Sequence, residues 1–188
     1  MTEAARWLEI RTTALHGVSV VTRTRREDAR GFFSRFFCAE ELAATGIALP
    51  IAQVNHTLTL RRGTVRGLHF QQPPHAEDKF VSCLRGEVFD VAVDLRRGSP
   101  TFLHWHGEVL SSANGRSLII PQGFAHGFQA LQDDCELLYL HSRPYAAAAE
   151  GGLRATDPRL KIAWHLPLVD LSERDAAFAL LAADFAGV

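Results

Sequence analysis

The feature that most constrains this fold is a succession of short β-rich runs separated by turn residues. Val, Ile, Phe, Tyr and Thr are concentrated in the runs, while Gly, Pro, Asn and Asp lie between them. Many short strands at this spacing favour a closed antiparallel double sheet, of which the jelly roll is the commonest. We therefore predict an all-β antiparallel jelly roll, with strands within residues 17–24, 31–37, 51–60, 64–70, 79–84, 87–95, 101–110, 116–120, 127–131 and 136–142.

The run over residues 87–95 alternates most clearly. Asp90 and Asp94 fall on one side of the predicted strand, and the other side carries Phe89, Val91, Val93 and Leu95. This pattern predicts a strand with one wet or functional face. Helix is expected only at residues 39–46 and in a tail over 172–186, where Ser172 is a candidate N-cap and Asp175 occupies the third helical position.

Composition and charge limit the function classes. The 188 residues are 47% hydrophobic and 22% charged and contain no linker or repeat, so we expect one domain over 1–188. Twenty Lys and Arg against 21 Asp and Glu leave no field that would recruit nucleic acid or an anionic membrane. No signal or membrane-spanning run is evident, and Cys38, Cys83 and Cys135 are expected to be thiols in a reducing cytoplasm.

Titratable residues are concentrated in two strings, Arg66 to Gln71 and Gly123 to Phe128, with Lys79 between them. A single histidine on a strand is more often a hydrogen-bonded residue of the core or surface than a catalyst. The functional reading therefore depends on the coincidence of several such groups.

Five motifs together resemble one family. RGLHFQ (residues 66–71), Lys79, VFDVAVDLR with SPTF (88–102), PQGFAHGF (121–128) and LSERD (171–175) are similar, in order and in register, to dTDP-4-dehydrorhamnose 3,5-epimerases. The resemblance implies a cupin-type jelly roll that works as a homodimer on a dTDP-4-keto-6-deoxyhexose, without cofactor or metal. Such a reaction removes a proton beside a ketone and returns one to the opposite face of the ring.

The resemblance also assigns catalytic roles. His69 would be the base, and Asp175 would fix its tautomer, although Asp175 could instead only cap the tail helix. Lys79 would stabilise the enolate charge on the C4 oxygen, and Tyr139 would be the acid on the other face. From the residues alone, Lys79 could instead be a solvated lysine at the end of a strand, and Tyr139 could be an aromatic residue of the core.

The same resemblance assigns substrate-binding residues. A planar guanidinium suits a diphosphate because it makes two parallel charge-assisted bonds. Because strict alternation would put Arg66 and His69 on opposite faces of their strand, a bend is required there. The positions that match the family's dTDP-sugar site are Arg30, Gln53, Asn55, Arg66, His126, Glu150 and Arg174.

Several positions depart from the family pattern. Arg35 replaces Glu, Val54 replaces Asp, Arg174 replaces Lys and His165 replaces Pro. Pro144 stands where an aromatic residue, usually Tyr, shapes the pocket around the sugar. Its presence favours an enzyme that inverts C3 faster than C5, or C3 alone.

Three alternatives to a 3,5-epimerase remain. One is a monoepimerase acting at C3 or C5 only. A metal-dependent cupin enzyme could use His104, His106 and Glu108, because alternate residues of a strand share a face. A non-catalytic sugar-nucleotide binding module would not need a base, an electrophile and an acid together.

Overall fold

A computed structural model describes residues 6–46 and 50–188 and contains two antiparallel sheets and a separate hairpin. The six-stranded sheet has the spatial order β1 (Leu8–Thr12), β2 (Ser19–Arg23), β10 (Arg116–Ile120), β7 (Lys79–Arg85), β12 (Cys135–His141) and β5 (Gln53–Thr59). The five-stranded sheet has the order β13 (Glu150–Gly152), β6 (Val65–Gln71), β11 (Phe124–Ala130), β8 (Glu87–Asp94) and β9 (Trp105–Ser111). The hairpin consists of β3 (Arg25–Asp28) and β4 (Gly31–Ser34).

The predicted all-β class is confirmed, and each of the ten predicted runs contains or overlaps a strand. The sequence analysis missed β1, β3 and β13. Strand β3 reads RRED and β13 reads EGG, and neither sequence carries the β-branched or aromatic residues typical of strands. The run 101–110 begins too early, because turns occupy residues 99–104 before β9 starts at Trp105.

Of three buried core clusters in the described residues, two lie on the two sides of the five-stranded sheet. Between the sheets lie buried side chains of both, including Val20, Val81, Ala92 and Phe128. A second cluster covers the outer side of the five-stranded sheet, where the segment around Trp164 and the C-terminal residues pack against β8. Burial of apolar surface on both sides of β8 supplies much of the driving force for this arrangement.

The prediction of a wet face on β8 is wrong. Asp90 and Asp94 are both fully buried. Asp94 instead accepts hydrogen bonds from Arg96, Ser99 and Thr101 in the following turn. Asp90 is bonded to His126, one of the residues predicted to bind the substrate.

Of the two predicted helices, the first is confirmed. It consists of α1 (Ala39–Leu42) followed by a 3-10 turn, Ala43–Thr45, that ends at Gly46 with a φ of 73°. The tail helix α2 (Glu173–Ala177) begins at the predicted cap, Ser172, but the helix predicted as far as residue 186 is wrong. The backbone is extended at Phe178, and residues 181–188 pack against the outer core cluster instead. In the described ranges no helix has the length and apolar character needed to cross a membrane.

Candidate active site

A cavity with a volume of about 710 Å³ opens between the two sheets. Ten of the eleven predicted site residues line it. They come from six strands and from helix α2, so the two-sheet fold is what brings them together. The ten are Gln53, Asn55, Arg66, His69, Lys79, His126, Tyr139, Glu150, Arg174 and Asp175.

A bulge in β6 provides the bend that the sequence required. Opposite β11, His69 pairs with His126 and Arg66 pairs with Phe128, so β6 carries one extra residue between the two pairs. Gly67 lies in this bulge with a φ of 127°, and a Cβ there would lie 2.6 Å from the Gly127 Cα atom. Only glycine fits, and the bulge allows Arg66 and His69 to line the same cavity.

His69 and Asp175 form a close pair. The His69 Nε2 atom lies 2.7 Å from Asp175 Oδ1, and Asp175 Oδ2 accepts a hydrogen bond of 3.1 Å from the Gly67 amide. The Asp175 backbone N–H donates to the Ser172 hydroxyl, so Ser172 is the N-cap of α2 and the Asp175 carboxylate faces His69. The Asp175 side chain therefore does not cap the helix.

The surroundings of this pair favour a neutral imidazole and an ionised carboxylate. Burial lowers the pKa of His69, and the bond to Asp175 opposes that effect only in part. Burial raises the pKa of Asp175, but the hydrogen bonds from His69 and Gly67 outweigh it and leave the pKa below its ordinary value. The contact with the Asp175 carboxylate favours the tautomer that carries its proton on Nε2, which leaves the lone pair of Nδ1 to accept a proton, as a general base needs.

Lys79 lies deep in the cavity and is paired with an acid that the sequence analysis missed. Its Nζ atom is 2.6 Å from Glu77 Oε1, and both side chains are more than nine-tenths buried. Glu77 Oε2 accepts a hydrogen bond of 2.7 Å from Gln71 Nε2. The only signal in the sequence was an acidic residue two positions before the lysine. An ammonium held in a dehydrated pocket stabilises a developing oxyanion far better than one in water.

Tyr139 stands on β12, across the cavity from β6. Its ring packs edge-on to His126, at 6.0 Å between centroids, and parallel to His141, at 6.1 Å. Burial raises the pKa of Tyr139, so the phenol keeps its proton at neutral pH and can act as a donor. Burial, and next the charge of Lys79, lower the pKa of His141 to about 4, so this imidazole is neutral.

The mouth of the cavity carries polar groups suited to a charged ligand. Arg174 makes two bonds of 3.0 Å to the Glu150 carboxylate, which also accepts a bond from the Tyr145 hydroxyl at 2.9 Å. Arg174 Nη2 also lies 3.0 Å from His69 Nε2, where it competes with the shorter contact to Asp175. Arg66 bonds to the Leu58 carbonyl and leaves part of its guanidinium facing the cavity.

Arg30 is the exception. It lies at the turn of the β3–β4 hairpin, with its side chain 89% exposed and paired only with Asp28. It does not line the cavity of its own chain, and neither does any other residue of this hairpin, which forms a sheet separate from the other two. Its predicted place in the binding site is therefore not realised within one chain.

Comparison with known proteins assigns the chain to a family. The family model described as dTDP-4-dehydrorhamnose 3,5-epimerase matches residues 12–183. The chain belongs to this family. A dTDP-4-dehydrorhamnose 3-epimerase of Streptomyces niveus is 40% identical over 176 residues, covering 93% of this chain and 84% of that protein. A dTDP-4-dehydrorhamnose 3,5-epimerase of Sinorhizobium fredii is 41% identical over 161 residues, covering 85% of this chain and 83% of that protein.

Solved structures show the same architecture. The dTDP-6-deoxy-D-glucose-3,5-epimerase of Legionella pneumophila, in complex with dTDP-4-keto-L-rhamnose, superposes with a TM-score of 0.88 at 39% identity. The match covers 92% of each chain. The predicted family and its jelly-roll fold are confirmed.

Most departures from the family pattern lie away from the cavity. Val54 points outward from β5 and is 55% exposed, because its neighbours Gln53 and Asn55 face inward. Arg35 pairs with Glu41 beside the N-terminal strand. His165 stacks on Phe89 at 4.1 Å in the outer core cluster. Beside Pro144, Tyr145 lines the cavity, so this stretch of the wall does contain an aromatic side chain.

The candidate metal ligands on β9 are not arranged as a metal site. His104 precedes the strand and is exposed, while the Glu108 carboxylate is occupied by Arg11 and Arg116, each within 2.9 Å. Across residues 6–46 and 50–188, no group of three His, Cys, Asp or Glu side chains is placed to hold a metal ion.

Proposed function

We propose that this protein epimerises a dTDP-4-keto-6-deoxyhexose at the carbons flanking the C4 ketone, through an enolate. The observation that supports this most strongly is the meeting of a buried His69–Asp175 pair, the Lys79 ammonium and the Tyr139 phenol around one cavity. A base, an electrophile and an acid around a single carbonyl are the groups that proton transfer at an adjacent carbon needs. A binding module would not need them.

Each group has one step. His69 Nδ1 takes the proton from the carbon beside the ketone, and the electrons of the broken C–H bond move onto the C4 oxygen. Lys79 stabilises that oxyanion. Tyr139 then donates its proton to the same carbon from the opposite face, and the carbonyl re-forms. Solvent restores a proton to Tyr139 and removes one from His69, so the reaction conserves protons and needs no cofactor.

Arg66 and Arg174 at the cavity mouth would bind the diphosphate. Arg174 is held by Glu150 in the free protein, so a phosphate would replace a carboxylate as its partner at little cost in desolvation. Gln53 and Asn55, which are hydrogen-bonded to each other at 3.1 Å, and His126 complete the polar lining available to the sugar nucleotide.

The protein would act in the cytoplasm as a homodimer, with a second copy seated against the β3–β4 hairpin. Phe32 and Phe33 on this hairpin are 57% and 67% exposed, an unusual exposure for two adjacent aromatic residues. A second copy that covers them would also bring Arg30 to the partner's cavity, which explains why Arg30 lies outside its own. Sedimentation of the wild-type protein and of Phe33→Glu tests this: a wild-type monomer would contradict it.

A second candidate is a 3-epimerase. The similarity to the Streptomyces niveus enzyme favours it, whereas Tyr145 on the cavity wall removes the main argument from Pro144. Both candidates share the same chemistry at C3.

The test is proton NMR of dTDP-4-keto-6-deoxyglucose incubated with the protein. We expect inversion at C3 or at both carbons, abolished in His69→Ala. His56→Ala is the matched control, because His56 lies on the outer side of β5 and pairs only with Glu136. No inversion by the wild-type protein, or equal inversion by His69→Ala, would contradict the proposal.

A further inference from the structure

Lys79 is held by a carboxylate that belongs to no motif considered so far. Glu77 Oε1 lies 2.6 Å from Lys79 Nζ, and the side chains of both residues are less than a tenth exposed. We propose that Glu77 is the positioning residue of Lys79: it fixes the ammonium in place and keeps it charged at the pH of catalysis. This inference deepens the proposed function and rests on it.

The geometry favours a dedicated role rather than a chance contact. Each oxygen of the Glu77 carboxylate has its own partner, Lys79 on one side and Gln71 on the other. The other amide atom of Gln71, Oε1, accepts a hydrogen bond from the Ala146 backbone, so the chain of contacts extends from Lys79 to the segment that carries Tyr145. A buried polar network in which every member is satisfied holds its groups in one arrangement.

The charge balance around Lys79 explains why a carboxylate is needed. Burial disfavours an ammonium, and a charged group in a dry pocket loses its proton unless an opposite charge stands beside it. The register partner of Lys79 on β12 is His141, and His126 and the protonated phenol of Tyr139 line the same cavity, so none of these three groups supplies a negative charge. The register partner of Lys79 on β10 is Ile120. Glu77 is thus the anion in contact with Lys79 among the described residues.

Only one proton of the ammonium is used by Glu77, because each Nζ–H donates in a single direction. The two remaining N–H groups stay available to the enolate oxygen. The carboxylate therefore serves catalysis without touching the substrate. It acts by setting the position and charge of the group that does.

The chain permits a direct measurement, because it contains only two lysines, Lys79 and Lys161. Lysine labelled with ¹³C would give two side-chain Cε signals, and the exposed Lys161 is an internal reference. In Glu77→Gln the titration midpoint of the Lys79 signal should fall below its wild-type value by at least one pH unit, because burial without an adjacent anion disfavours the ammonium.

Asp78→Asn is the matched control. Asp78 is as buried as Glu77 and adjacent to it, but its carboxylate bonds to Ser142 and the Gln122 amide, not to Lys79. Its loss should leave the Lys79 titration unchanged. If Glu77→Gln folds poorly, Glu77→Asp is the second variant to measure. It keeps the negative charge on a side chain one methylene shorter, so Lys79 should titrate as in wild type while kcat falls.

Activity gives the second readout. A misplacement of about 1 Å can cost on the order of 100-fold in rate, so kcat of Glu77→Gln and Glu77→Asp should fall by up to that factor while KM changes little. The alkaline limb of the Glu77→Gln pH profile should move to lower pH. An unchanged Lys79 titration in Glu77→Gln would overturn the inference even if the wild-type protein is an active epimerase. An inactive wild-type protein would instead overturn the proposed function. The NMR titration of the lysines does not depend on activity, so the two failures are distinguishable.

Discussion

Replacing Asp175 with Asn removes one charge from the centre of the site and changes almost nothing in volume. The carboxylate accepts hydrogen bonds from both His69 and the Gly67 amide, whereas an amide has a single acceptor oxygen. If that oxygen keeps the Gly67 bond, the NH₂ group faces His69 Nε2 and forces the ring proton onto Nδ1. The lone pair that should face the substrate is then lost.

The wrong tautomer of a histidine base costs on the order of 10³- to 10⁴-fold in kcat, or about 4–5.5 kcal/mol of activation free energy. Stability should change less. One charge-assisted hydrogen bond is worth about 1.5–3 kcal/mol, against a total free energy of unfolding of about 5–15 kcal/mol, so the variant should stay folded.

The pH dependence gives a second, independent signature. Asp175 raises the pKa of His69 against the effect of burial, so its loss should lower that pKa further. His69 must be neutral to act as the base. The acid limb of the pH profile should therefore move to lower pH, although the rate at its plateau falls.

The assay is the rate of solvent deuterium incorporation, followed by proton NMR over a range of pH. Asp157→Asn is the control, because Asp157 is equally buried and accepts from the backbone amides of Arg159 and Leu181, outside the cavity. It should lose stability and keep its kcat. A plateau rate for Asp175→Asn within tenfold of wild type, with an unmoved acid limb, would refute the orienting role.

Three further predictions follow from the same structure. Tyr139→Phe should still exchange deuterium through His69 while its inverted product falls by about 10²- to 10⁴-fold, and inversion at the wild-type rate would remove Tyr139 from the mechanism. Dialysis against a strong chelator should leave turnover unchanged, and loss of activity restored by a divalent metal would contradict the proposed chemistry. Asp94, whose pKa its hydrogen bonds lower to about 2 although burial raises it, should contribute about 2 kcal/mol of stability at pH 7 that is lost as the pH falls from about 4 to 2. Denaturant unfolding of wild type and Asp94→Asn at pH 7 and pH 2 checks this, since the difference in the free energy of unfolding should be much smaller at pH 2 than at pH 7.

The sequence predicted most of the strands because their residues alternate or cluster locally. It failed for β8 and the tail, since both depend on contacts between distant segments. The side of β8 that carries Asp90 and Asp94 faces the core between the two sheets, and residues 181–188 pack on its apolar side, so neither side of the strand is wet. The helix predicted for the tail followed from local helix propensity alone. In the structure the apolar contacts of Leu181, Phe185 and Val188 with the outer cluster outweigh that propensity.

The site residues, like the strands, could be predicted from the sequence only in part. Motifs marked the residues that line the cavity, and the alternation conflict between Arg66 and His69 even indicated the bulge at Gly67. Glu77 could not be recognised, because its role depends on the distance to Lys79 and not on any spacing rule. Arg30 could not be placed, because its position depends on which side of the sheets the β3–β4 hairpin extends from.

The central claim, that one cavity forms an enolate on either side of a C4 ketone, is tested most directly by the time course of deuterium loading in deuterated water. With dTDP-4-keto-6-deoxyglucose and wild-type protein, we predict that solvent deuterium enters at C3 first and then at C5, and that His69→Ala abolishes both. Label at C3 alone would identify the 3-epimerase that shares this mechanism. Inverted product without deuterium at the inverted carbon would contradict the enolate and the account built on it.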